Sequence, residues 1–214
     1  TMSNAHPLIY VVDDDAAVRT AIRLLLRSAN LMVEAYGSAD EFLSHFDPET
    51  HGCIVLDVRM PGLNGLELQE KLNDMNVITP IIFITGHGDV PMAVEVMQMG
   101  AVDFIQKPFK DQDLLNRLQA ALARDLHMRR ELTEREVIRG RLNDLTPRER
   151  EVLKLVTEGR ANKVIAGDLD LSQRTVEIHR ARVMEKMHAK SLAHLVRMVI
   201  ALEADRPAGN ALKP

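Results

Sequence analysis

Short apolar runs alternate with amphipathic stretches through the first part of the chain. Leu8–Val12 is an apolar, β-branched run that stops at Asp13, and Ala17–Ala29 then repeats apolar residues at helical spacing through Val18, Ile22, Leu25 and Leu26. Leu31–Tyr36 alternates and predicts a second strand, after which Ser38 is placed to cap a helix over Asp40–Phe46. Cys53–Leu56 predicts a third strand and Asn64–Leu72 a helix; Pro80–Ile84 predicts a fourth strand and Pro91–Met99 a helix closed by Gly100. Val102–Ile105 and Gln112–Leu126 complete the series as a fifth strand and a fifth helix. Such alternation predicts an α/β, doubly wound, five-stranded parallel sheet covered on both faces. In sheets of that kind a ligand sits outside the carboxyl ends of the strands.

The pattern then changes period. Residues 127–142 are charged and contain no Pro, with Leu132, Ile138 and Leu142 at irregular helical intervals, which predicts a helical linker continuing the fifth helix. A solvated surface helix and a dimerising one fit that stretch equally. After Leu145 only helical signals remain. Thr146 is placed to cap a helix opening at Pro147, with Glu149 in capping-box position, and Gly159 ends it. Asn162–Leu169 is a short second helix, Ser172 caps a third to about His188, and Ser191 caps a fourth to about Ala204. The expected organisation is therefore an α/β domain over 6–126, a linker over 127–142 and an all-α four-helix domain over 143–206.

Composition fits a soluble chain with real cores: of 214 residues, 46% are hydrophobic and 27% charged. The longest apolar runs fall far short of the roughly 20 residues that span a bilayer. No export signal opens the chain, and the lone Cys53 cannot form an intramolecular disulfide, so a cytoplasmic location and no membrane partner are expected. The net charge of −4 is uneven. Residues 1–110 hold 7 Lys/Arg against 15 Asp/Glu, whereas residues 143–214 hold 13 against 10. An acidic front suits a cation and a mildly basic back suits a polyanion, although so small a positive excess identifies nothing without a motif.

The expected sheet gathers chemistry at one edge. Asp13, Asp14 and Asp15 follow the first strand, Asp57 the third, Thr85 the fourth, and Lys107 with Pro108 the fifth. Asp15 is expected to cap the first helix. Carboxylates brought together from separate strands repel one another unless a hard cation joins them, and Mg²⁺ suits such oxygen donors. A cation beside an aspartate also neutralises an incoming phosphoryl group, leaving Asp57 as a nucleophile able to form an acyl phosphate. Thr85 offers a hydroxyl and Lys107 a point charge for the phosphoryl oxygens. Singly each residue has a structural reading: helix cap, turn former or solvated charge. Together, at four strand ends, they are specific.

Asp13-Asp14, Asp57-Val-Arg-Met-Pro-Gly, Thr85-Gly-His-Gly-Asp and Phe104-Ile-Gln-Lys107-Pro108 resemble the receiver domain of two-component response regulators, with its CheY-like fold. The resemblance covers about residues 6–126. It implies phosphorylation on Asp57, and Mg²⁺ bound by Asp14 and Asp57 with the Arg59 carbonyl, Asp13 acting through water. It also implies that Thr85 and Lys107 hold the phosphoryl group, that the Lys107–Pro108 bond is cis, and that Thr85 and Phe104 form a switch in which Phe104 swings inward.

In the second domain, Asn162–Leu169, a turn and Gln173–His188 fit a helix-turn-helix. Val176, Val183 and Met187 should pack inward; Arg174, Glu177, Ile178, Ala181 and Glu185 share the opposite face, with Arg182 beside them. An Ile178 exposed next to a small Ala181 suits contact with thymine methyls, and Lys163, Arg174, Arg180 and Lys186 are candidate phosphate contacts. By pattern alone a plain four-helix core with surface charges fits as well. Leu145-Thr-Pro-Arg-Glu-Arg-Glu-Val-Leu, Asn162-Lys-Val-Ile-Ala and Ser172-Gln-Arg-Thr-Val-Glu-Ile-His-Arg resemble the LuxR/NarL/FixJ type of DNA-binding domain over about 142–205. The whole chain is most similar to FixJ-type regulators, with Glu177 as FixJ-like members have it, where other relatives often carry Lys. DNA contacts are thus expected from Lys163, Arg174, Thr175, Glu177, Ile178, Arg180, Ala181 and Lys186.

The resemblance implies a non-enzymatic transcription regulator with at most self-phosphorylation and self-dephosphorylation. Its implied partners are a sensor histidine kinase docking around Val18, Arg19 and Ile22, promoter DNA, and RNA polymerase as a further candidate. Phosphorylation would drive homodimerisation through the helix over 91–99 and the fifth strand, around Val94, Met97, Gln98 and Asp103. Two other readings stay open. Aspartyl-nucleophile phosphatases of the haloacid dehalogenase group place Asp-x-Asp-x-Thr/Val after the first strand, where this chain has Asp13-Asp14-Asp15-Ala16. A DNA binder with a vestigial receiver would ignore Asp57→Asn.

Overall fold

The computed structural model describes residues 6–86, 94 and 97–203, and divides the chain into two compact units that meet at Arg129 and Arg130. Most of the helix expected over 91–99, and His87–Asp89 of the Thr85 segment, lie outside the described residues. The described elements of the first unit are β1 (Leu8–Val12), α1 (Ala16–Ser28), β2 (Met32–Tyr36), α2 (Ala39–His45), β3 (Gly52–Asp57), α3 (Gly65–Asp74), β4 (Ile81–Thr85) and β5 (Asp103–Gln106), followed by the start of α4 (Asp111–Asn143). The strands form one parallel sheet in the order β2-β1-β3-β4-β5.

Both faces of that sheet are covered, which is why its inner strands read as unbroken apolar runs. On one face Tyr10, Val12, Ile54, Leu56 and Phe83 pack with Phe42 of α2 and Leu68 and Leu72 of α3. On the other, Ile9, Val11, Cys53, Val55, Ile82, Ile84 and Ile105 pack with Ile22 and Leu26 of α1 and Leu114, Leu118 and Ala121 of α4. Burial of each such side chain stabilises by about 1.5–3 kcal/mol. The expected caps are present: Asp15 accepts from Ala17 and Val18, Ser38 from Glu41, and Asn64 forms a capping box with Glu67.

One polar network ties α4 to the amino edge of the sheet. Asp125, fully buried, accepts from the Gly52 N–H (3.0 Å) and from Arg129 Nε at both carboxylate oxygens (3.0 and 2.9 Å), and meets His51 Nδ1 at 2.5 Å. Arg129 donates onward to the Glu49 and Pro48 carbonyls and to the Thr79 hydroxyl.

The second unit takes the last turns of α4 and adds α5 (Pro147–Thr157), α6 (Asn162–Asp168), α7 (Gln173–Lys186) and α8 (Leu192–Glu203). Its core joins Ile138, Leu145, Val152, Leu153, Val156, Ile165, Val176, Val183, Met187, Leu195 and Met198. Thr146 and Glu149 form the expected capping box, and Ser172 caps α7 through the Thr175 N–H. The sharp turn between α6 and α7 passes through Asp170 at φ 53°, with the Leu171 N–H closing on the Ala166 carbonyl at 2.8 Å. No described helix is long and apolar enough to cross a membrane.

Candidate functional site

Strand order alone assembles the first candidate site. β1 and β3 are neighbours with Val12 opposite Leu56, so Asp13 stands beside Asp57 at the carboxyl edge. β4 and β5 follow on the other side, with Asp57 opposite Ile84 and Thr85 opposite Gln106, which brings Thr85 and Lys107 to the same edge. Asp13, Asp57 and Thr85 are buried, whereas Asp14 is exposed.

Lys107 Nζ donates to Asp13 Oδ2 and to Asp57 Oδ1, each at 2.8 Å. Asp57 Oδ2 accepts from the Arg59 N–H at 2.9 Å, and Asp13 Oδ1 accepts from the Asp15 N–H at 2.9 Å. The Lys107 N–H closes on the Thr85 carbonyl at 2.7 Å, and the Lys107–Pro108 bond is cis. Burial pushes the Asp57 carboxyl above the ordinary aspartate range; Lys107 pulls against that rise and Asp13 adds to it. Burial also opposes the Lys107 ammonium, but its hydrogen bonds to Asp13 and Asp57 outweigh it and raise its pKa.

One carboxylate oxygen from each of Asp13, Asp14 and Asp57 lies within 4.8 Å of the others. Three carboxylates face one ammonium, so the cluster carries surplus negative charge. An all-oxygen donor set of this kind fits a hard divalent cation such as Mg²⁺.

Two residues of this site escape a reading by motif. A Cβ on Gly65 would collide with the Asp57 carbonyl, because the Gly65 N–H returns to the Val58 carbonyl at 3.0 Å. Only glycine lets α3 begin this close to the Asp57 backbone. Arg19 donates to the Asp13 carbonyl at 2.7 Å and so braces the loop that carries the acidic residues. A cavity of about 140 Å³ lies at the opposite, amino edge, lined in part by Asn73, Val77, Ile81, Arg124 and Met128, away from the carboxylates.

Several expected surface residues are placed differently. Ile22 is 2% exposed and belongs to the core, so among the expected docking residues only Val18 and Arg19 offer surface. Helical spacing puts the three on one side, and that side faces the sheet. Phe104 is 37% exposed on β5, and Asp103 beside it pairs with Arg117. Val94, Met97 and Gln98 are exposed.

The second candidate site is α7. Val176, Val183 and Met187 are buried, while Arg174, Glu177, Ile178, Ala181, Arg182 and Glu185 are exposed, Ile178 by 47%. Lys163 is exposed on α6, the Thr175 hydroxyl meets that of Ser172, and Arg180 donates to Asn162 Oδ1 at 2.6 Å. Lys186 departs from its expected place at the phosphates. Its ammonium donates to the buried Glu149 carboxylate at 2.7 Å and to the Asp144 carbonyl at 3.2 Å. Pulling it away would strand the buried Glu149 charge, so Lys186 ties α7 to α5.

The geometry agrees with what the chain is similar to. Residues 9–119 match the family model of the response regulator receiver domain, and residues 143–199 match that of the bacterial regulatory proteins of the luxR family. Nodulation protein W of Bradyrhizobium diazoefficiens is 46% identical over 92% of this chain and 87% of its own length. Transcriptional regulatory protein FixJ of Azorhizobium caulinodans is 47% identical over 95% of this chain and 96% of its own. Among solved structures, the response regulator StyR superposes with a TM-score of 0.82 at 45% identity, covering 92% of this chain and 99% of StyR. With both domain families matched in order and such relatives spanning nearly its whole length, the chain belongs to the FixJ-type two-component response regulators, a receiver domain joined to a LuxR-type DNA-binding domain.

Proposed function

We propose that this regulator accepts a phosphoryl group on Asp57 from a sensor histidine kinase and in that state binds promoter DNA as a dimer. One observation carries the first half: Asp57 is buried between Asp13 and Lys107 at a sheet edge where three carboxylates meet a single ammonium. An Asp57 carboxylate oxygen attacks phosphorus; the P–N bond of the donor phosphohistidine breaks with its electron pair going to the imidazole, and a P–O bond forms. Asp13, Asp14 and Asp57, with the Arg59 carbonyl, would hold Mg²⁺, which supplies charge neutralisation to the incoming phosphoryl oxygens. Lys107 exchanges its contact with Asp57 Oδ1 for a phosphoryl oxygen, and the Thr85 hydroxyl takes another. Phe104, exposed in this state, turns inward as Thr85 moves. Self-phosphorylation from a small phosphodonor and slow hydrolysis of the acyl phosphate are the most that the chain performs by itself.

The face around Val94, Met97, Gln98 and Asp103 is then the surface for self-association, which places two copies of α7 on two half-sites. Ile178 and Ala181 reach base edges together with Glu177, Arg174 and Thr175, while Lys163 and Arg180 approach phosphates. The domains responsible are 6–126 and 143–206 with the linker 127–142 between them, acting in the cytoplasm with RNA polymerase as a downstream partner.

Footprinting across genomic promoters, with and without acetyl phosphate and Mg²⁺, tests the reading. The parent should protect discrete sites only with the phosphodonor, and Asp57→Asn should protect none. Protection indifferent to both donor and substitution would leave DNA binding in place and remove the switch.

A further inference from the structure

We propose that Glu149 of α5 is a positioning residue for DNA recognition, acting through Lys186 to fix the carboxyl-terminal end of α7; this rests on the reading of α7 as the DNA-contacting helix. Neither residue touches DNA in the proposal. Lys186 is the last residue of α7, and its ammonium is held by the Glu149 carboxylate at 2.7 Å and the Asp144 carbonyl at 3.2 Å. The same Glu149 oxygen accepts the Thr146 N–H at 2.8 Å, so the carboxylate that closes the cap of α5 also grips α7. Arg141 adds a third tie, donating to the Met187 carbonyl just past the end of α7 at 3.3 Å. The Glu149 side chain is 2% exposed and that of Lys186 35%, so the carboxylate is buried and the ammonium closes over it from the surface.

Geometry explains why a clamp at this end matters for bases read elsewhere. Ile178 lies eight residues before Lys186, about 12 Å along the helix axis. With the amino-terminal part of α7 packed on the core, a shift of about 1 Å at the released end turns the helix axis by about 5°, enough to re-aim the side chains that make hydrogen-bond and methyl contacts in a groove. Hydrophobic packing of Val176 and Val183 holds α7 against the core but tolerates small sliding, whereas a buried charge pair does not. A lysine committed in this way is also a poor phosphate contact, since each move toward a phosphate leaves Glu149 buried and unpaired.

The two roles predict different salt behaviour. A phosphate contact contributes about one unit to the slope of log affinity against log salt and acts on every sequence alike; a positioning residue affects the specific duplex and leaves the slope alone. The probe is the duplex that the full-length, acetyl-phosphate-treated parent enriches from a randomised pool, with an unrelated duplex of equal length beside it. Lys186→Met should weaken binding to the enriched duplex at least tenfold, with the slope and the unrelated duplex unchanged. Glu149→Gln should do the same, the double variant should be no worse than either single one, and Lys186→Arg should bind near the parental level. Unfolding midpoints establish that each variant is folded, and Glu149→Gln with Lys186→Arg decide the matter where Lys186→Met is not. A slope reduced by about one unit with both duplexes weakened equally, or parental binding by Glu149→Gln, would overturn the proposal while leaving DNA recognition by α7 intact. A parent that enriches no sequence would remove that reading and the proposal with it.

Discussion

Asp57 and Asp125 are both buried aspartates at an edge of the same sheet, each paired with a basic side chain, yet they are balanced differently. At the amino edge, Asp125 meets Arg129 at both oxygens, adds the Gly52 N–H and His51, and Arg129 uses its remaining donors on two carbonyls and Thr79. Every strong group there has a partner within the fold. At the carboxyl edge, Lys107 is shared between Asp13 and Asp57 with Asp14 close by, and the Asp57 carboxyl is raised by its burial. The first cluster is closed and staples α4 to the sheet. The second is short of positive charge, which disposes it to take a cation and, with it, a phosphoryl group.

The largest effect should come from opening the closed cluster. Asp125→Asn leaves Arg129 buried without its counter-charge and should lower stability by about 3–5 kcal/mol, measured by urea unfolding of the full chain with a probe in the receiver. A loss under about 1 kcal/mol would mean that the amino-edge network is incidental. Completing the open cluster should act in the other direction. Mg²⁺ at a hundred times its dissociation constant should stabilise the parent by about 2.7 kcal/mol, and Asp57→Asn should lose most of that gain; equal stabilisation of both would place the cation elsewhere.

A closed pair in the second unit extends the comparison to pH. Lys186, above all, holds the Glu149 carboxyl down to about 2 against the cost of burial, with the Thr146 N–H and side chain helping. A lowered pKa contributes stability that is present above the ordinary glutamate value and is lost as pH falls through about 2. The loss should be about 1–2 kcal/mol after allowance for the part-exposed lysine, and Glu149→Gln should flatten it. Asp57 has the opposite sign. A raised pKa means that folding gains protons and stability as pH falls through it, so ionised Asp57 is a burden at neutral pH. Without metal, Asp57→Asn should be more stable than the parent near neutrality, the gap closing in acid. A gap that widens in acid would refute the charge imbalance.

Much of the open cluster is legible in the sequence because each of its members ends a strand. A strand buried on both faces reads as an apolar run, and the first polar residue after it marks the sheet edge, as at Asp13, Asp57 and Thr85. The fold follows from the same runs, and its caps from Ser38, Asn64, Thr146 and Ser172, whose side chains act within three residues. The closed clusters are not legible. Asp125 and Gly52 are 73 positions apart and Lys186 and Glu149 are 37 apart, so no local pattern joins them. Charge made Lys186 a candidate phosphate contact and the family resemblance made Ile22 part of a docking surface, but neither says what the next element places against them. Gly65 was hidden for the same reason: what requires it is the Asp57 carbonyl, and the sequence around it offers only a good helix start.

The central claim, that the charge deficit at the carboxyl edge serves phosphoryl transfer to Asp57, is tested most directly by intact-mass and peptide mapping of the full chain after acetyl phosphate and Mg²⁺. The expected result is one added phosphoryl group per chain, on the peptide containing Asp57, absent without Mg²⁺ and absent in Asp57→Asn. A phosphoryl group on any other residue of the parent, or undiminished labelling of Asp57→Asn, would contradict it.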